Sequence, residues 1–292
     1  MTPTLVDPDD WAGASPAIDD VRQRCVEHDG QDPLDEATAR DLRLKRTVGA
    51  RLWVAGDLGF ALSHGTSIDV AVAPEARGRG HGQVLCETAL ATTSPVTAWS
   101  HGDHPAAARL AARHGFTRAR ELWVERRPAD LPLPEALPRD GVRIRGFEQR
   151  DREAIVDINA RAFADHPEQG AMDLAQLDER MAEPWFDPAG LLLAEDAEGR
   201  ALGFHWTKQH DADHGEVYVI GLHPDAQGLG LGTVLTGAGL EHLHGRGVRE
   251  VLLYVESDNA PARRLYERLG FTHDPRDTHV QYRAVHADPR LS

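Results

Sequence analysis

A chain of 292 residues is long enough for two domains, each with its own hydrophobic core. Its formal net charge of −15 at pH 7 disfavours nucleic acid and anionic membrane surfaces as partners, because both repel an acidic protein. Cys25 and Cys86 are the only cysteines, residues 1–10 lack the features of a secretory signal, and no apolar run has membrane-spanning length, so we expect a cytoplasmic protein without a disulfide framework.

The first half of the chain alternates helical and strand patterns. In chain order, these patterns predict two helices within 17–46, a hairpin of strands 51–55 and 59–63, a strand 68–73, a helix 80–92, a strand 96–100, a helix 105–114 and a strand 122–126. Four prolines then indicate an extended linker over residues 128–141, since proline suits neither a central strand nor a helix interior.

The second half shows a similar alternation. It predicts a strand 142–145, a helix 151–164, a helical pattern up to residue 182, a hairpin of strands 191–195 and 203–208, a strand 217–222, a helix after Gly230, a strand 251–255, a helix 261–269 and a strand 279–283. This order is typical of an α/β fold with a mixed (α+β) sheet. We therefore expect one domain over residues 1–127, the linker 128–141, and a second domain over residues 142–292.

A glycine-rich turn separates the strand 217–222 from the helix that follows it. Gly228, Gly230 and Gly232 precede the helical pattern. The N–H groups of a first helical turn have no partner within the helix, and the helix dipole favours negative charge there, so such a turn suits a pyrophosphate. The spacing meets neither the dinucleotide fingerprint nor the P-loop. With Gln227, it resembles the Q/R-x-x-G-x-G/A acyl-CoA motif of the GCN5-related N-acetyltransferases (GNAT).

Two segments of the first half recur in the second half in the same order. Residues 70–82 match residues 220–232 with a constant offset of 150, and residues 104–116 match residues 259–271 with an offset of 155. Two matched segments in one order indicate the internal duplication of a unit of about 140 residues, the usual size of one domain. The sequence therefore predicts two tandem GNAT acetyltransferase domains.

Acetyl transfer from a thioester to an amine needs a base for the amine, donors for the oxyanion and an acid for the departing thiolate. Glu216 begins the central strand of the second domain and is the predicted base. Backbone N–H groups of residues 220–222 are the predicted oxyanion donors, if Gly221 marks a bulge in the strand. Tyr266, on the helix after Asn259, is the predicted acid for the sulfur.

The duplication places this acid–base pair in one half only. The offset of 150 puts Thr66 at the position of Glu216, and the offset of 155 puts Ala111 at the position of Tyr266. The glycine turn, in contrast, occurs in both halves. We therefore expect the C-terminal domain to be the catalyst, whereas the N-terminal domain binds acyl-CoA without turnover or has a structural role.

Three further stretches narrow the resemblance. Residues 99–107 read WSHGDHPAA, residues 159–170 read NARAFADHPEQG and residues 205–208 read HWTK. Together with the tandem frame, they resemble the mycothiol synthase family over nearly the whole chain. The resemblance implies that acetyl-CoA acetylates the cysteinyl amine of the pseudodisaccharide Cys-GlcN-Ins, the last step of mycothiol synthesis.

The same resemblance implies which residues bind the two substrates. Contacts with the amine substrate are implied at Glu36, Glu168, Lys208, Glu216 and Tyr254. Contacts with acetyl-CoA are implied in the C-terminal domain at Ile220, Gly221, Leu222, Gln227, Gly228, Leu229, Gly230, Leu231, Gly232, Thr233, Asn259, Ala260, Pro261, Ala262, Arg263 and Arg264. A second acetyl-CoA set is implied in the N-terminal domain at Val70, Ala71, Val72, Arg77, Gly78, Arg79, Gly80, His81 and Gly82, where Gly78 and His81 depart from the motif.

Other interpretations stay open at this point. The sixteen histidines form no cluster with zinc-ligand spacing, and we predict no metal site. The chain could be a tandem GNAT enzyme for another amine, such as an aminoglycoside or a protein N-terminus, or a non-catalytic acyl-CoA-binding sensor. Tyr254 and Tyr266 could be core aromatics, and Lys208 a surface cation. We expect a monomer that binds acetyl-CoA and a small amine.

Overall fold

The computed structural model describes residues 2–7, 10–46, 48–133, 138, 140–164 and 170–285. It divides the chain into two compact units. Unit 1 comprises residues 1–123 and 275–292, and unit 2 comprises residues 124–274. None of the helices within the described residues is long and apolar enough to cross a membrane.

Unit 1 is a mixed sheet with helices on both faces. In chain order it contains β1 (Thr4–Val6), α1 (Trp11–Asp29), α2 (Glu36–Arg43), β2 (Arg51–Val54), β3 (Gly59–His64), β4 (Ser67–Val72), α3 (His81–Leu90), β5 (Thr97–Ser100), α4 (Pro105–Arg113) and the first part of β6 (Phe116–Pro128). Strands β1 to β4 pair antiparallel in sequence order, and β4 pairs parallel with β5. One core cluster joins the sheet to α1, and a second joins the other face to α3.

Unit 2 repeats this arrangement. After the end of β6 it contains β7 (Arg143–Gly146), α5 (Arg152–Ala162), α6 (Leu174–Met181), β8 (Leu191–Glu195), β9 (Ala201–Gln209), β10 (His214–Leu222), α7 (Leu231–Gly245), β11 (Glu250–Glu256), α8 (Ala260–Arg268) and the first residues of β12 (Thr272–Ala284). Strands β7 to β10 pair antiparallel in sequence order, and β10 pairs parallel with β11. Helices α5 and α6 pack on one face of the sheet and α7 on the other.

The last strand of each repeat completes the sheet of the other unit. Strand β12 pairs antiparallel with β5, with Val280 opposite Ser100, and residues from Pro275 onward belong to unit 1. Strand β6 lies beside β11, and residues from Val124 onward belong to unit 2. The observed units therefore differ at both ends from the expected division into residues 1–127 and 142–292.

The start of the expected linker is anchored rather than extended into solvent. Arg127 is fully buried, and its Nε donates a hydrogen bond of 2.6 Å to the carbonyl oxygen of Leu269. The N–H of Ala129 donates to the carbonyl oxygen of Arg249 at 2.8 Å. These bonds satisfy a buried guanidinium and fix the chain to unit 2 up to residue 133. Residues 134–137 and 139 of the expected linker lie outside the described residues.

The remaining predicted elements agree with the structure to within a few residues, apart from strands β1, β6 and β12 and the earlier start of α1. Strand β1 is three residues long and was not predicted, because so short a segment carries no measurable periodicity. Strands β6 and β12 are each 13 residues long, much longer than the predicted 122–126 and 279–283. Both contain charged and polar residues that hide the alternation of a strand.

Candidate active site

Strands β10 and β11 diverge beside the predicted site in unit 2. Their parallel pairing ends with Val217 opposite Leu253, whereas β10 continues to Leu222 and β11 to Glu256. Backbone groups of a strand that has lost its neighbour need another partner. The end of β10 is therefore a suitable surface for the main-chain hydrogen bonds of a ligand.

The bulge in β10 lies earlier than the sequence suggested. The register between β9 and β10 shifts between Val217 and Val219, which makes Tyr218 the extra residue. Gly221 instead pairs regularly with Phe204, and a Cβ atom on Gly221 would lie 2.8 Å from the Phe204 ring. The expectation of a bulge at Gly221 was therefore wrong. Glycine is needed there because the aromatic ring packs directly on the backbone.

The glycine turn of unit 2 has the backbone conformation expected of an anion site. Gly228 and Gly230 have φ angles of 75° and 77°, which side-chain-bearing residues rarely adopt. Helix α7 begins at Leu231, and its N-cap Gly230 provides no side-chain acceptor for the first-turn N–H groups. Gln227 is exposed beside them. The second predicted acetyl-CoA segment, residues 259–264, forms the N-terminus of α8, where Asn259 caps the helix.

Three predicted substrate residues share one face of the sheet in unit 2. Lys208 lies opposite Glu216 in the β9–β10 pairing, and Glu216 lies opposite Leu252 in the β10–β11 pairing. Side chains of paired residues point to the same face, and residues two apart along a strand do so as well. Tyr254 therefore points to the face that carries Lys208 and Glu216. The structure therefore places these three residues on one face of the sheet.

The Glu216 carboxylate is buried and lies close to the imidazole of His210. Its side chain is only 7% exposed, and its Oε2 lies 2.7 Å from Nε2 of His210, whose side chain is 35% exposed. The sequence interpretation missed His210. The signal was its place two residues after Lys208, which directs both side chains to the face of Glu216.

The ammonium group of Lys208 makes cation–π contacts with two aromatic rings. The Nζ atom lies 5.0 Å from the ring centroid of Trp185 and 5.3 Å from that of Tyr218. The two rings pack edge to face with centroids 4.9 Å apart. Because Tyr218 is the bulge residue, the irregularity in β10 is what brings its ring to Lys208. Cation–π contacts of this kind are worth about 0.5–2 kcal/mol and place the charge at a defined position beside Glu216.

Tyr266 lies on α8 and is buried. Its ring packs edge to face on Phe271 with centroids 5.8 Å apart. Burial, and to a lesser extent the Glu125 carboxylate, raises the pKa of the Tyr266 phenol. A raised pKa keeps the phenol protonated at neutral pH, which is the state that a proton donor needs.

Unit 1 contains a cavity of about 420 Å³ at its own glycine turn. Apart from Arg79, the predicted acetyl-CoA residues of the N-terminal domain line it, namely Val70, Ala71, Val72, Arg77, Gly78, Gly80, His81 and Gly82. Arg77 forms an ion pair with Asp29 of α1 and also donates to the carbonyl oxygen of Val72 at 3.1 Å. The positive charge of Arg77 is therefore already neutralised within unit 1.

The register of unit 1 refines the comparison between the two halves. His64 lies opposite Ser67 in unit 1, as Lys208 lies opposite Glu216 in unit 2. The counterpart of Glu216 is therefore Ser67 and not Thr66, because the bulge in β10 adds a residue that the constant offset ignores. Ser67 cannot act as a carboxylate base, so the asymmetry between the halves remains.

Of the two remaining predicted substrate residues, one belongs to unit 1 and the other lies outside the described residues. Glu36 is exposed in the first turn of α2 in unit 1. Glu168 lies outside the described residues. Among the residues that the structure describes, no group of three or more His, Cys, Asp or Glu side chains is arranged to hold a metal ion.

Comparison with protein families and known sequences gives consistent matches. The sequence model of the acetyltransferase (GNAT) family matches residues 152–271. The mycothiol acetyltransferase of Nocardioides sp. is 54% identical over 286 residues, which cover 91% of this chain and 96% of that protein. The mycothiol acetyltransferase of Thermobispora bispora is 50% identical, with coverage of 89% and 93%.

Solved structures with a similar fold include two acetyltransferases that match almost the whole chain. A GCN5-related N-acetyltransferase from Sphaerobacter thermophilus has a TM-score of 0.67 at 24% identity, covering 96% of this chain and 94% of its own. A tandem GNAT protein from the clavulanic acid biosynthesis pathway has a TM-score of 0.66 at 19% identity, covering 96% of both chains. At these identities the likeness establishes the tandem GNAT fold.

Proposed function

The chain belongs to the mycothiol acetyltransferases within the GNAT family, and from this premise we propose that its unit 2 acetylates the cysteinyl amine of Cys-GlcN-Ins with acetyl-CoA. The observation that carries the proposal is the buried Glu216 on one sheet face with Lys208 and Tyr254, beside the diverging ends of β10 and β11. The products are mycothiol and coenzyme A.

In this proposal, acetyl-CoA binds along the end of β10. The pyrophosphate lies on the N–H groups of the turn from Gln227 to Thr233, where the two left-handed glycines let the backbone approach the phosphates. Residues 259–264 at the start of α8 contribute further contacts. The thioester carbonyl receives hydrogen bonds from backbone N–H groups of residues 220–222, which lie where β10 has left β11.

Glu216 removes a proton from the ammonium group of the acceptor. An α-amine has a pKa of about 8, so most of it is protonated at pH 7 and cannot attack a carbonyl. The free amine then attacks the thioester carbon, and the oxyanion is stabilised by the main-chain donors. Lys208, held by its aromatic neighbours, supplies a fixed positive charge that can donate hydrogen bonds to oxygen atoms of the acceptor.

Collapse of the tetrahedral intermediate breaks the carbon–sulfur bond. The Tyr266 phenol, kept protonated by its raised pKa, gives its proton to the thiolate of coenzyme A. The amine nitrogen loses its second proton, which restores the Tyr266 phenol, and becomes the amide. Burial of Tyr266 and Glu216 confines both proton transfers to a site with little water.

Thiol release from acetyl-CoA, measured with Cys-GlcN-Ins as acceptor and followed by mass analysis of the product, tests the proposal. We expect the gain of one acetyl group on the cysteinyl nitrogen. If coenzyme A is released only with other amines, such as aminoglycosides or peptide N-termini, the acceptor is wrong and the fold assignment is unaffected. Binding of acetyl-CoA without turnover on any amine would instead indicate a sensor.

A further inference from the structure

The overall reaction releases a proton that must leave the site. An ammonium group and a thioester give a neutral amide, a neutral thiol and one net proton at neutral pH. The second proton of the amine nitrogen restores the Tyr266 phenol, which has given its own proton to the sulfur. The first proton, which Glu216 took from the ammonium group, therefore stays on Glu216. Glu216 must lose this proton before the next turnover.

Glu216 itself has almost no contact with solvent. Its side chain is 7% exposed, while the His210 side chain, 2.7 Å away through Oε2 and Nε2, is 35% exposed. Lys208, which lies opposite Glu216 in the sheet, offers N–H donors and no acceptor atom. The imidazole is therefore the basic group that joins the buried carboxylate to water.

We propose that His210 transfers the proton of Glu216 to solvent after each turnover. The Nε2 atom accepts the proton from Oε2 of Glu216, and the imidazolium then releases the proton on Nδ1 to water or buffer. A rotation or tautomer exchange of the ring restores the starting state. His210 does not touch the reacting atoms in this scheme, and its role rests on the proposed function of Glu216 as base.

The hairpin that carries His210 is a special feature of unit 2. In unit 1 only Gly65 and Thr66 connect His64 with its partner Ser67. In unit 2 residues 209–215 connect Lys208 with Glu216, so strands β9 and β10 extend further and their hairpin contains His210. The longer hairpin and the carboxylate therefore occur together in the unit that we propose to be catalytic.

The hairpin also provides a matched control. His214 lies four residues from His210, and its Nδ1 is 2.9 Å from the exposed Asp211 carboxylate. Asp211 also accepts hydrogen bonds from the backbone N–H groups of Asp213 and His214, so the turn keeps its shape without the imidazole of His214. Substitution of His214 removes an exposed histidine from the same hairpin without affecting Glu216.

Two variants of the full-length protein test the transfer. His210→Gln can still donate a hydrogen bond to Glu216 but cannot carry a proton, and His210→Ala leaves space for imidazole from solution. We expect kcat to fall at least about tenfold in both, with the KM for acetyl-CoA within about twofold of the parent value. Added imidazole should restore the rate of His210→Ala in proportion to its concentration, and should not affect His214→Ala.

Turnover of His210→Gln at the parental rate would overturn the proposal. A slow His210→Ala variant whose rate imidazole fails to restore would also overturn it, because such a loss indicates a structural role of His210. The parent's own rate with Cys-GlcN-Ins tests the proposed function separately. If the parent prefers another amine, the same comparison is made with that amine, so the two proposals can fail independently.

Discussion

The two glycine turns have nearly the same backbone but different surroundings. Gly78 and Gly80 of unit 1 have φ angles of 74° and 86°, close to the 75° and 77° of Gly228 and Gly230 in unit 2. In unit 1 the turn is joined to α1 through Arg77 and Asp29, whereas Gln227 of unit 2 is exposed. Duplication has thus preserved the anion-binding conformation while the side chains around it diverged.

The sheet faces beside the turns differ more strongly. In unit 1 the Nε2 of His64 lies 2.8 Å from the buried carboxylate of Asp69, so the face is occupied by an internal histidine–aspartate pair. In unit 2 the same register holds Lys208 and Glu216, with a longer hairpin beside them. We therefore propose that catalytic ability depends on a few side chains and one hairpin, since a fold alone does not determine function.

The largest expected effect follows from removing the carboxylate of Glu216, because unit 1 has Ser67 at the same register position. Glu216→Gln keeps the size of the side chain but cannot accept the amine proton, so kcat should fall by about 10²–10³ at pH 7. Calorimetric binding of acetyl-CoA should stay unchanged. Turnover as fast as that of the parent would show that Glu216 is not the base.

A smaller effect is expected from the phenol that corresponds to Ala111 in unit 1. Tyr266→Phe preserves the packing on Phe271 and should lower kcat by about 10–100-fold, because a thiolate leaves more readily than most groups that need an acid. Tyr282→Phe, in the buried part of β12 in unit 1, is the control and should retain parental turnover. Equal rates for the two variants would exclude Tyr266 as the acid.

Unit 2 should also be acid-sensitive through His205, whose counterpart in the register is Ala61. Burial lowers the pKa of His205 to about 3, and the ring packs directly against Gly239, where a Cβ atom would lie 2.3 Å from its Nε2. The unfolded chain binds the proton near pH 6.5 and the folded chain only near pH 3, so stability is lost as the pH falls through this window.

Between pH 7 and pH 5 this difference amounts to about 2 kcal/mol in the free energy of unfolding. Urea unfolding at several pH values should show that the free energy of unfolding falls with decreasing pH in the parent and falls less steeply in His205→Leu. An identical slope in both proteins would mean that other groups determine the acid sensitivity.

The smallest effect is expected from Lys208, which occupies the register position that His64 occupies in unit 1. Lys208→Met keeps an unbranched chain against Trp185 but removes the charge, and should raise the KM for the amine about tenfold, or about 1.4 kcal/mol, with less change in kcat. Lys45→Met, the exposed and only other lysine, is the control. A lower kcat with an unchanged KM would place Lys208 in the chemical step instead.

Features that depend on local residue patterns were predictable from the sequence. The order of the elements follows from periodicity and turn residues, and the glycine turn with its repeat follows from spacing. The exchange of β6 and β12 between units was not predictable, because either strand fits either sheet by composition and only tertiary pairing decides.

The details of the candidate site were only partly predictable. The residues Val217, Tyr218 and Val219 read as ordinary strand, and nothing in them marks the bulge that turns Tyr218 toward Lys208. The pair of His210 and Glu216 depends on the length of a hairpin, which the single offset of 150 obscured. Packing and register, rather than residue type, fix both features.

We propose that turnover depends on the glycine turn of unit 2 and that unit 1 cannot replace it. Gly230→Asp and Gly230→Asn test this directly, because both residues tolerate a left-handed φ of 77° and a Cβ atom at this position meets no atom within 4 Å. Only aspartate places a negative charge beside the pyrophosphate. We predict at least a tenfold higher KM for acetyl-CoA in Gly230→Asp than in Gly230→Asn. Equal KM values for the two variants would contradict the proposed binding of the pyrophosphate at this turn.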